Sequence, residues 1–404
     1  MKKRISLGSC IVLVFLFCIA TFLITANAFQ NRNSSELAAL YEKADFYDKL
    51  KDVYDRVSDN YIKDTDIKDF EYAYLNAYID SLGDPYSMYF SEEELRAYLS
   101  DSSGDMVGIG VRAVFDAETG GIYITGVMPA SPALQAGLRV GDIIVQVEDI
   151  PVNSDTYDTA INAVRGPEGE AVTLVVSREE DLLLTLTITR AAIDSESVIY
   201  EKLESGNSNG ASIAYITIIE FNSHTADTFK QALDKAAEDG CESYIFDVRN
   251  NPGGDLNAIV KVLDLLLPEG PIINIVDKSG KVTTRSSDEA HLDAPMAVLI
   301  NGKTASAAEL FTAALRDYSL ATIIGTTSFG KGTMQTITTL PDGSGLKLST
   351  NYYNPPYGEN FHGIGVSPDI FLEMPAELAE RFYLLTNEED NQLQRAIETL
   401  TEIN

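Results

Sequence analysis

Between residues 211 and 324, apolar runs of strand length alternate with stretches of helical periodicity, and this alternation limits the fold more than any other feature of the 404-residue chain. Residues 211–221, 244–248, 296–300 and 321–324 read as strands, and 225–238, 255–267 and 306–315 as helices. Leu256, Ile259, Val260, Leu263, Leu266 and Leu267 fall on one side of the second helix, the mark of an apolar stripe that must be covered. Residues 334–340 and 346–352 read as a hairpin around Pro341-Asp342-Gly343-Ser344-Gly345. Strands interleaved with helices predict a mixed or parallel sheet with helices packed on it.

The flanks have other characters. Lys2-Lys3-Arg4 precedes an uncharged stretch from Ile5 to Asn31, whose apolar core runs from Ile11 to Ile24. Such a run is long enough to span a bilayer, and the basic flank sets its N-terminus on the cytoplasmic side. Ala26-Asn27-Ala28 offers signal peptidase a cleavage pattern, so anchor and cleaved signal both stand, the length favouring the anchor. Residues 1–32 are the targeting segment on either reading and export the body. Residues 33–100 read as helical, with a break at Gly83-Asp84-Pro85 and a short helix after Ser91 that carries Glu92, Glu93 and Glu94 in its first turn. Residues 373–404 form an acidic helical tail with Leu378, Phe382, Leu385, Leu393, Ile397 and Leu400 as its apolar positions.

The net charge of −31, from 61 acidic against 30 basic side chains, repels phosphate backbones and argues against nucleic acid as a partner. Of the three cysteines, Cys10 and Cys18 lie in the apolar segment and Cys241 is the body's one thiol, which leaves no internal disulfide and no cysteine-cluster metal site. No phosphate loop, nucleotide fingerprint or metal-ligand cluster is present, so no cofactor is expected.

Two stretches carry the chemistry. Asn301-Gly302-Lys303-Thr304-Ala305-Ser306-Ala307-Ala308-Glu309 puts Ser306 where a strand turns into a helix. Ser328-Phe329-Gly330-Lys331-Gly332-Thr333-Met334-Gln335 holds Lys331 in a glycine-flanked loop. A serine hydroxyl is a weak nucleophile without an adjacent base, and lysine can be that base once burial favours its neutral amine. Taken singly, Ser306 reads as a helix N-cap and the Gly-Lys-Gly as a solvated turn. A third segment, Asp247-Val248-Arg249-Asn250-Asn251-Pro252-Gly253-Gly254, completes a pattern. In that order and spacing the three segments resemble the C-terminal processing peptidases, also called tail-specific serine proteases.

The resemblance covers residues 70–372 and implies a crotonase-like or ClpP-like α/β core over 191–372. It implies Ser306 as nucleophile, Lys331 as general base and Gln335 as the residue that hydrogen-bonds and orients Lys331. The Ala307 N–H would donate to the oxyanion, with Gly253 or Gly254 supplying the second donor. Glu309 reads as a helix-start carboxylate giving structural support. Asp247 and Arg249 read as solvated surface charges, or as a pair bracing the loops.

Residues 101–190 resemble a PDZ domain, through Gly108-Ile109-Gly110-Val111 and Ala136-Gly137-Leu138-Arg139-Val140-Gly141-Asp142-Ile143-Ile144. That loop would present N–H groups to a peptide's terminal carboxylate, and the strand after it would pair with the peptide. Arg165 aligns with a PDZ arginine that in regulated members links peptide binding to the core; a surface arginine before a turn is its plainer reading.

The expected fold is therefore α+β multidomain: targeting segment, helical region, PDZ domain, α/β core and helical tail. The expected protein is an exported, membrane-anchored serine endopeptidase acting on proteins with exposed apolar C-termini, with a regulatory protein and a homodimer among its partners. Two rivals are a catalytically silent PDZ scaffold and an acyl-CoA enzyme of the crotonase type. Intact Ser306, Lys331 and Gln335 oppose the first; the acidic charge, export signal and PDZ unit oppose the second.

Overall fold

The computed structural model describes Thr21 and residues 43–403, apart from 104, 117–118, 129–130, 179–181, 195–196, 205–211 and 380–381. The expected targeting segment, 1–32, lies outside the described residues save for Thr21. Among the described residues, no helix is long and apolar enough to cross a membrane. The chain divides into a unit of residues 1–78 and a unit of residues 79–404.

In the first unit, residues 43–60 are helical and a second helix, Ile67–Asp80, begins. Aromatic rings join the two, with Tyr54 and Phe70 at 5.1 Å between centroids.

The second unit is built on a six-stranded sheet in the order Val198–Glu204, Ser212–Ile218, Cys241–Asp247, Met296–Ile300, Ala321–Gly325, Ile370–Phe371. The first pair is antiparallel and the rest are parallel. Alternate residues of each strand point to opposite faces, and both faces are buried. Ala214, Ile216, Tyr244, Phe246, Met296 and Val298 pack with the helices Thr225–Glu238, Leu256–Asp264 and Ala307–Asp317. Ile213, Ile245, Ala297, Leu299 and Ile324 pack with Leu393, Ala396 and Leu400 of the helix Asn391–Ile403. The acidic tail is thus the cover of one sheet face.

A second sheet holds Met88–Phe90, Gly345–Asn354, Gly270–Asp277 and Val282–Ser287, with Thr333–Thr339 paired to Gly345–Asn354. The expected 334–352 hairpin is here. The Gly270–Ser287 hairpin and the strands Val198–Glu204 and Met88–Phe90 were not expected. Met88–Phe90 enters this sheet beside Gly345–Lys347, so part of the segment read as helical belongs to the core's second sheet.

The PDZ region forms its own sheet in the order Val111–Asp116, Gly121–Val127, Ile143–Val147, Ala171–Arg178, Leu182–Thr189, around a core that includes Ile122, Ile124, Leu138, Ile144, Leu174 and Ile188. Val111–Asp116 is the edge strand of that sheet. Strands Asp105–Gly108 and Ala191–Asp194 pair antiparallel where the region leaves and rejoins the chain.

Leu393 is 1% exposed at the centre of the tail's contact. Leu393→Ala should lower the unfolding free energy by about 2–5 kcal/mol, read by urea denaturation, whereas the exposed Glu402→Ala should leave it unchanged within error.

Candidate active site

The three loops that the sequence singled out leave the carboxyl ends of three neighbouring parallel strands, Cys241–Asp247, Met296–Ile300 and Ala321–Gly325. In open α/β sheets that edge is where ligands bind. The first two loops are zipped together. The Thr304 hydroxyl donates to the Val248 carbonyl at 2.8 Å and the Ala305 N–H to the Asn251 carbonyl at 2.9 Å. Asn250 N–H donates to Asn301 Oδ1 at 3.0 Å, and Asn301 Nδ2 returns a bond to Asn250 Oδ1 at 3.0 Å.

This clamp forces Ser306 to φ 56°, ψ −117°, at the N-cap of the helix Ala307–Asp317. A non-glycine residue at such dihedrals is strained by about 1–3 kcal/mol and persists only where its surroundings over-determine it. The same sharp strand-to-helix turn presents the serine of other hydrolases. Gly253 makes room for it, since a Cβ there would lie 2.7 Å from Ser306 Cβ and 2.8 Å from the Ala305 carbonyl oxygen.

Glu309, read from sequence as helix-start support, does more. Its fully buried carboxylate accepts the Ser306 N–H at 2.8 Å and the Lys331 N–H at 2.7 Å on Oε2. It accepts the Ser328 hydroxyl and the Gly330 N–H, each at 2.6 Å, on Oε1. The S-x-x-E spacing from Ser306 is a capping-box signal, and it could have disclosed the first of these bonds; nothing local discloses the other three.

A cleft of about 580 Å³ opens here, and Ser306, Ala307, Gly254, Lys331, Gln335 and Tyr353 are among its lining residues. The Gly253 N–H is donated to Asn251 Oδ1 at 2.8 Å, which removes it as an oxyanion donor. Gly254 forms a parallel bridge with Phe221 in which the flanking residues make the bonds, Phe221 N–H to Gly253 O and Asp255 N–H to Phe221 O. That register points Gly254's own N–H away from Phe221.

Lys331 Nζ lies 4.7 Å from the centroid of the Tyr86 ring and makes no hydrogen bond to Ser306 or Gln335 among the described residues. Burial pushes its ammonium below the ordinary lysine value, Lys347 adds to that, and Asp84 and Glu309 oppose it. The buried Tyr353 hydroxyl fixes the loop by donating to the Lys331 carbonyl at 2.7 Å.

The bond from Gln335 to Lys331 that the family pattern implied is not made. A bulge between Met334 and Gln335 turns the amide back onto its own hairpin. Its Nε2 donates to Ser349 Oγ at 3.0 Å and to Thr333 Oγ1 at 3.2 Å.

Asp247 and Arg249 brace the loops and are not solvated. The Arg249 side chain is 1% exposed and bonds Asp247 at 2.6 Å, Asp390 at 2.7 Å and Gln392 at 3.0 Å. Tyr215 donates to the same Asp247 carboxylate at 2.7 Å. Asp390 lies 141 positions from Arg249, so no local pattern could have announced the pairing.

In the PDZ region, Gly110 has φ +78°, and a Cβ there would meet Ser131 Cβ at 2.3 Å, so the Gly108–Val111 loop requires glycine. Arg165 is exposed at the C-cap of the helix Tyr157–Val164, and its side chain makes no hydrogen bond or ion pair among the described residues. The arginine that works at this helix end is Arg190, which is buried and donates to the Ala163 carbonyl at 2.7 Å and the Val164 carbonyl at 2.9 Å.

A model of peptidase family S41 matches residues 212–372, and a PDZ domain model matches residues 123–178. A probable CtpA-like serine protease of Staphylococcus saprophyticus is 33% identical over 339 residues, covering 83% of this chain and 67% of that protein. Another such protein, from Staphylococcus aureus strain N315, is 34% identical over 334 residues, covering 81% of this chain and 65% of that one. The chain spans about two thirds of the length of these curated relatives. Among solved structures, the photosystem II D1 C-terminal processing protease aligns with a TM-score of 0.54 at 27% identity, over 86% of this chain and 92% of that one. An S41 protease from Bacteroides fragilis NCTC 9343 shares the fold, with a TM-score of 0.60 at 18% identity over 85% and 92% of the two chains.

The chain belongs to peptidase family S41. Within that family it is a C-terminal processing peptidase of the serine type, with a PDZ domain.

Glu309→Gln replaces one acceptor oxygen by a donor and leaves two of four buried donors facing an amide N–H. It should lower the unfolding free energy by about 2–5 kcal/mol and, in folded protein, slow labelling of Ser306 by a fluorophosphonate. An unchanged stability curve would refute the bracing role.

Proposed function

We propose that the chain hydrolyses peptide bonds at or near the C-termini of exported proteins, with Ser306 as nucleophile and Lys331 as general base. The observation that carries this is the strained Ser306 turn, tied through one buried carboxylate to the loop that bears Lys331. In the reaction, neutral Lys331 takes the Ser306 proton as Oγ attacks the scissile carbonyl. The oxyanion accepts N–H bonds from Ala307 and Gly254, two cleft amides that make no bond of their own among the described residues. Donors already fixed at the N-terminus of a helix cost no reorganisation as charge develops. The Lys331 ammonium then protonates the leaving amine. Water, activated by the same amine, attacks the acyl carbon and frees Ser306.

With Nζ resting over Tyr86, the side chain must swing to Ser306 before this can begin. Hydrogen bonds of this kind are often made only once substrate is bound. Gln335 would orient the amine after that swing, on release from Ser349. A resting, gated enzyme awaiting substrate or a regulatory protein is the reading of this arrangement that we prefer to a silent scaffold.

The free edge of Val111–Asp116 and the Gly108–Val111 loop suit a peptide added as a further strand, its terminal carboxylate held by the loop amides. Arg165, exposed at the end of the helix Tyr157–Val164, is assigned the coupling of peptide binding to the core. The apolar stretch from Ile5 to Asn31 is assigned export and anchoring, with the catalytic body outside the cytoplasm and the terminal helices available for a homodimer contact.

Ser306→Ala should abolish turnover of an unfolded protein with an apolar C-terminus, followed by mass spectrometry of fragments. Lys331→Ala should be as damaging and the double variant little worse, because a dyad acts as a unit; additive losses would sink it. Since the active base is the neutral amine and burial lowers its basicity, activity should rise with pH along a limb lying below the ordinary lysine value. The Ser306→Ala chain should bind an apolar peptide with a free C-terminus at least about tenfold tighter than its C-terminal amide. Equal affinities would remove the carboxylate loop from the account.

A further inference from the structure

The cleft holds a second lysine that the reaction above leaves unused. Lys347 lies on the strand Gly345–Asn354, opposite Ile337 in register, and both line the cleft with Ser306 and Lys331. Its Nζ sits 4.6 Å from the centroid of the Tyr98 ring. Among the described residues, no carboxylate pairs with it, although the chain has 61 acidic side chains to 30 basic ones. An ammonium over an aromatic face is attracted by the ring's quadrupole and held in place there. In a partly buried cleft that charge is screened less than on the open surface.

Lys331 apart, the other charged groups described around the cleft have partners of their own. Glu309 is shared among four donors. Asp84 takes the Tyr86 N–H at 3.1 Å and the Ser87 hydroxyl at 2.5 Å. Asp255 caps its helix through the Ala258 N–H at 2.8 Å, and Glu220 accepts from Asn222 at 2.9 Å. His362 Nδ1 lies 3.4 Å from the Gly332 amide that donates to it, and the buried Tyr353 and the ring of Tyr86 complete the surroundings of Lys331. Two ammonium groups without carboxylate partners therefore share one cleft.

We propose that Lys347 is a positioning residue acting through charge: its ammonium, sharing the cleft with the buried Lys331, adds to burial in favouring the neutral amine that removes the Ser306 proton. A neighbouring cationic group is a known way to make a lysine amine reactive at neutral pH. Lys347 also acts in the direction required, opposing Asp84 and Glu309, which favour the ammonium. The inference rests on the Ser306–Lys331 reading of the site.

The test measures, across the neutral and alkaline range, the rate at which a fluorophosphonate labels Ser306 in the full chain in detergent micelles. The Ser306 oxygen forms the P–O bond, fluoride leaves, and the hydroxyl proton goes to Lys331, so the pH at which the rate rises reports that amine. Lys347→Met should move the rise upward by about one pH unit, cut the rate at neutral pH about tenfold, and still reach the alkaline plateau. Lys347→Arg should keep the wild-type profile. Raising the ionic strength should move the rise upward in wild type and not in Lys347→Met. A rise that stays in place, or a uniform loss at every pH that arginine also shows, overturns the inference. If Lys347→Met does not fold, the arginine variant and the salt titration of wild type decide. Lys331→Met separates the two levels: labelling at the wild-type rate sinks the base assignment itself, whereas an inert Lys331→Met with an unmoved Lys347→Met profile sinks only the role of Lys347.

Discussion

One buried carboxylate organises the site. Removing Glu309 from water costs several kcal/mol, and the cost is offset because two backbone amides, a hydroxyl and the serine's own N–H converge on it. Charge-assisted bonds of this kind are about twice as strong as neutral ones. None of the four partners is a cation, so the charge fixes backbone positions in two loops. The Ser306 turn and the Lys331 loop are neighbours because both must reach the same two oxygens.

That arrangement presupposes the sheet. Three adjacent parallel strands end at the same edge, and each delivers one loop there. The helices on one face and the C-terminal helix on the other leave the loops no direction except outward. The terminal segment is more than a cover, since Asp390 and Gln392 hold Arg249 from the far side. A buried arginine with two carboxylates is strongly destabilised when one partner is lost. The residue that leads into Asn250 and Asn251 is therefore anchored to the last helix of the chain.

The sequence disclosed the elements whose cause is local. The alternation of apolar strands and amphipathic helices reported the sheet, and the glycine spacing at 108–111 reported a loop where the backbone must come close to its neighbours. Motif resemblance placed Ser306, Lys331 and the Gly253-Gly254 pair in one cleft. Contacts with distant causes were not legible. Arg249 looks like a surface charge until Asp390 is known to lie against it. Gln335 reads as a partner of Lys331, and no local pattern announces the bulge that turns its amide onto Ser349 instead. Two glycines side by side are equivalent in sequence, and only the Asn251 side chain distinguishes them. Lys347 had no motif at all, since its neighbourhood is made by register between two strands.

The dihedrals of Ser306 have a consequence for the life of the chain before it is folded. In an extended polymer this serine relaxes to ordinary negative φ, and Asn251, Glu309, Lys331 and Tyr353 are scattered along the backbone. Arg249, which leads into the Asn250-Asn251 loop beside the Ser306 turn, has its full set of partners only when Asp390 and Gln392 lie against it. An unfolded polypeptide of this sequence thus carries the residues of a peptidase without the cleft that unites them, and folding is the step that brings them together.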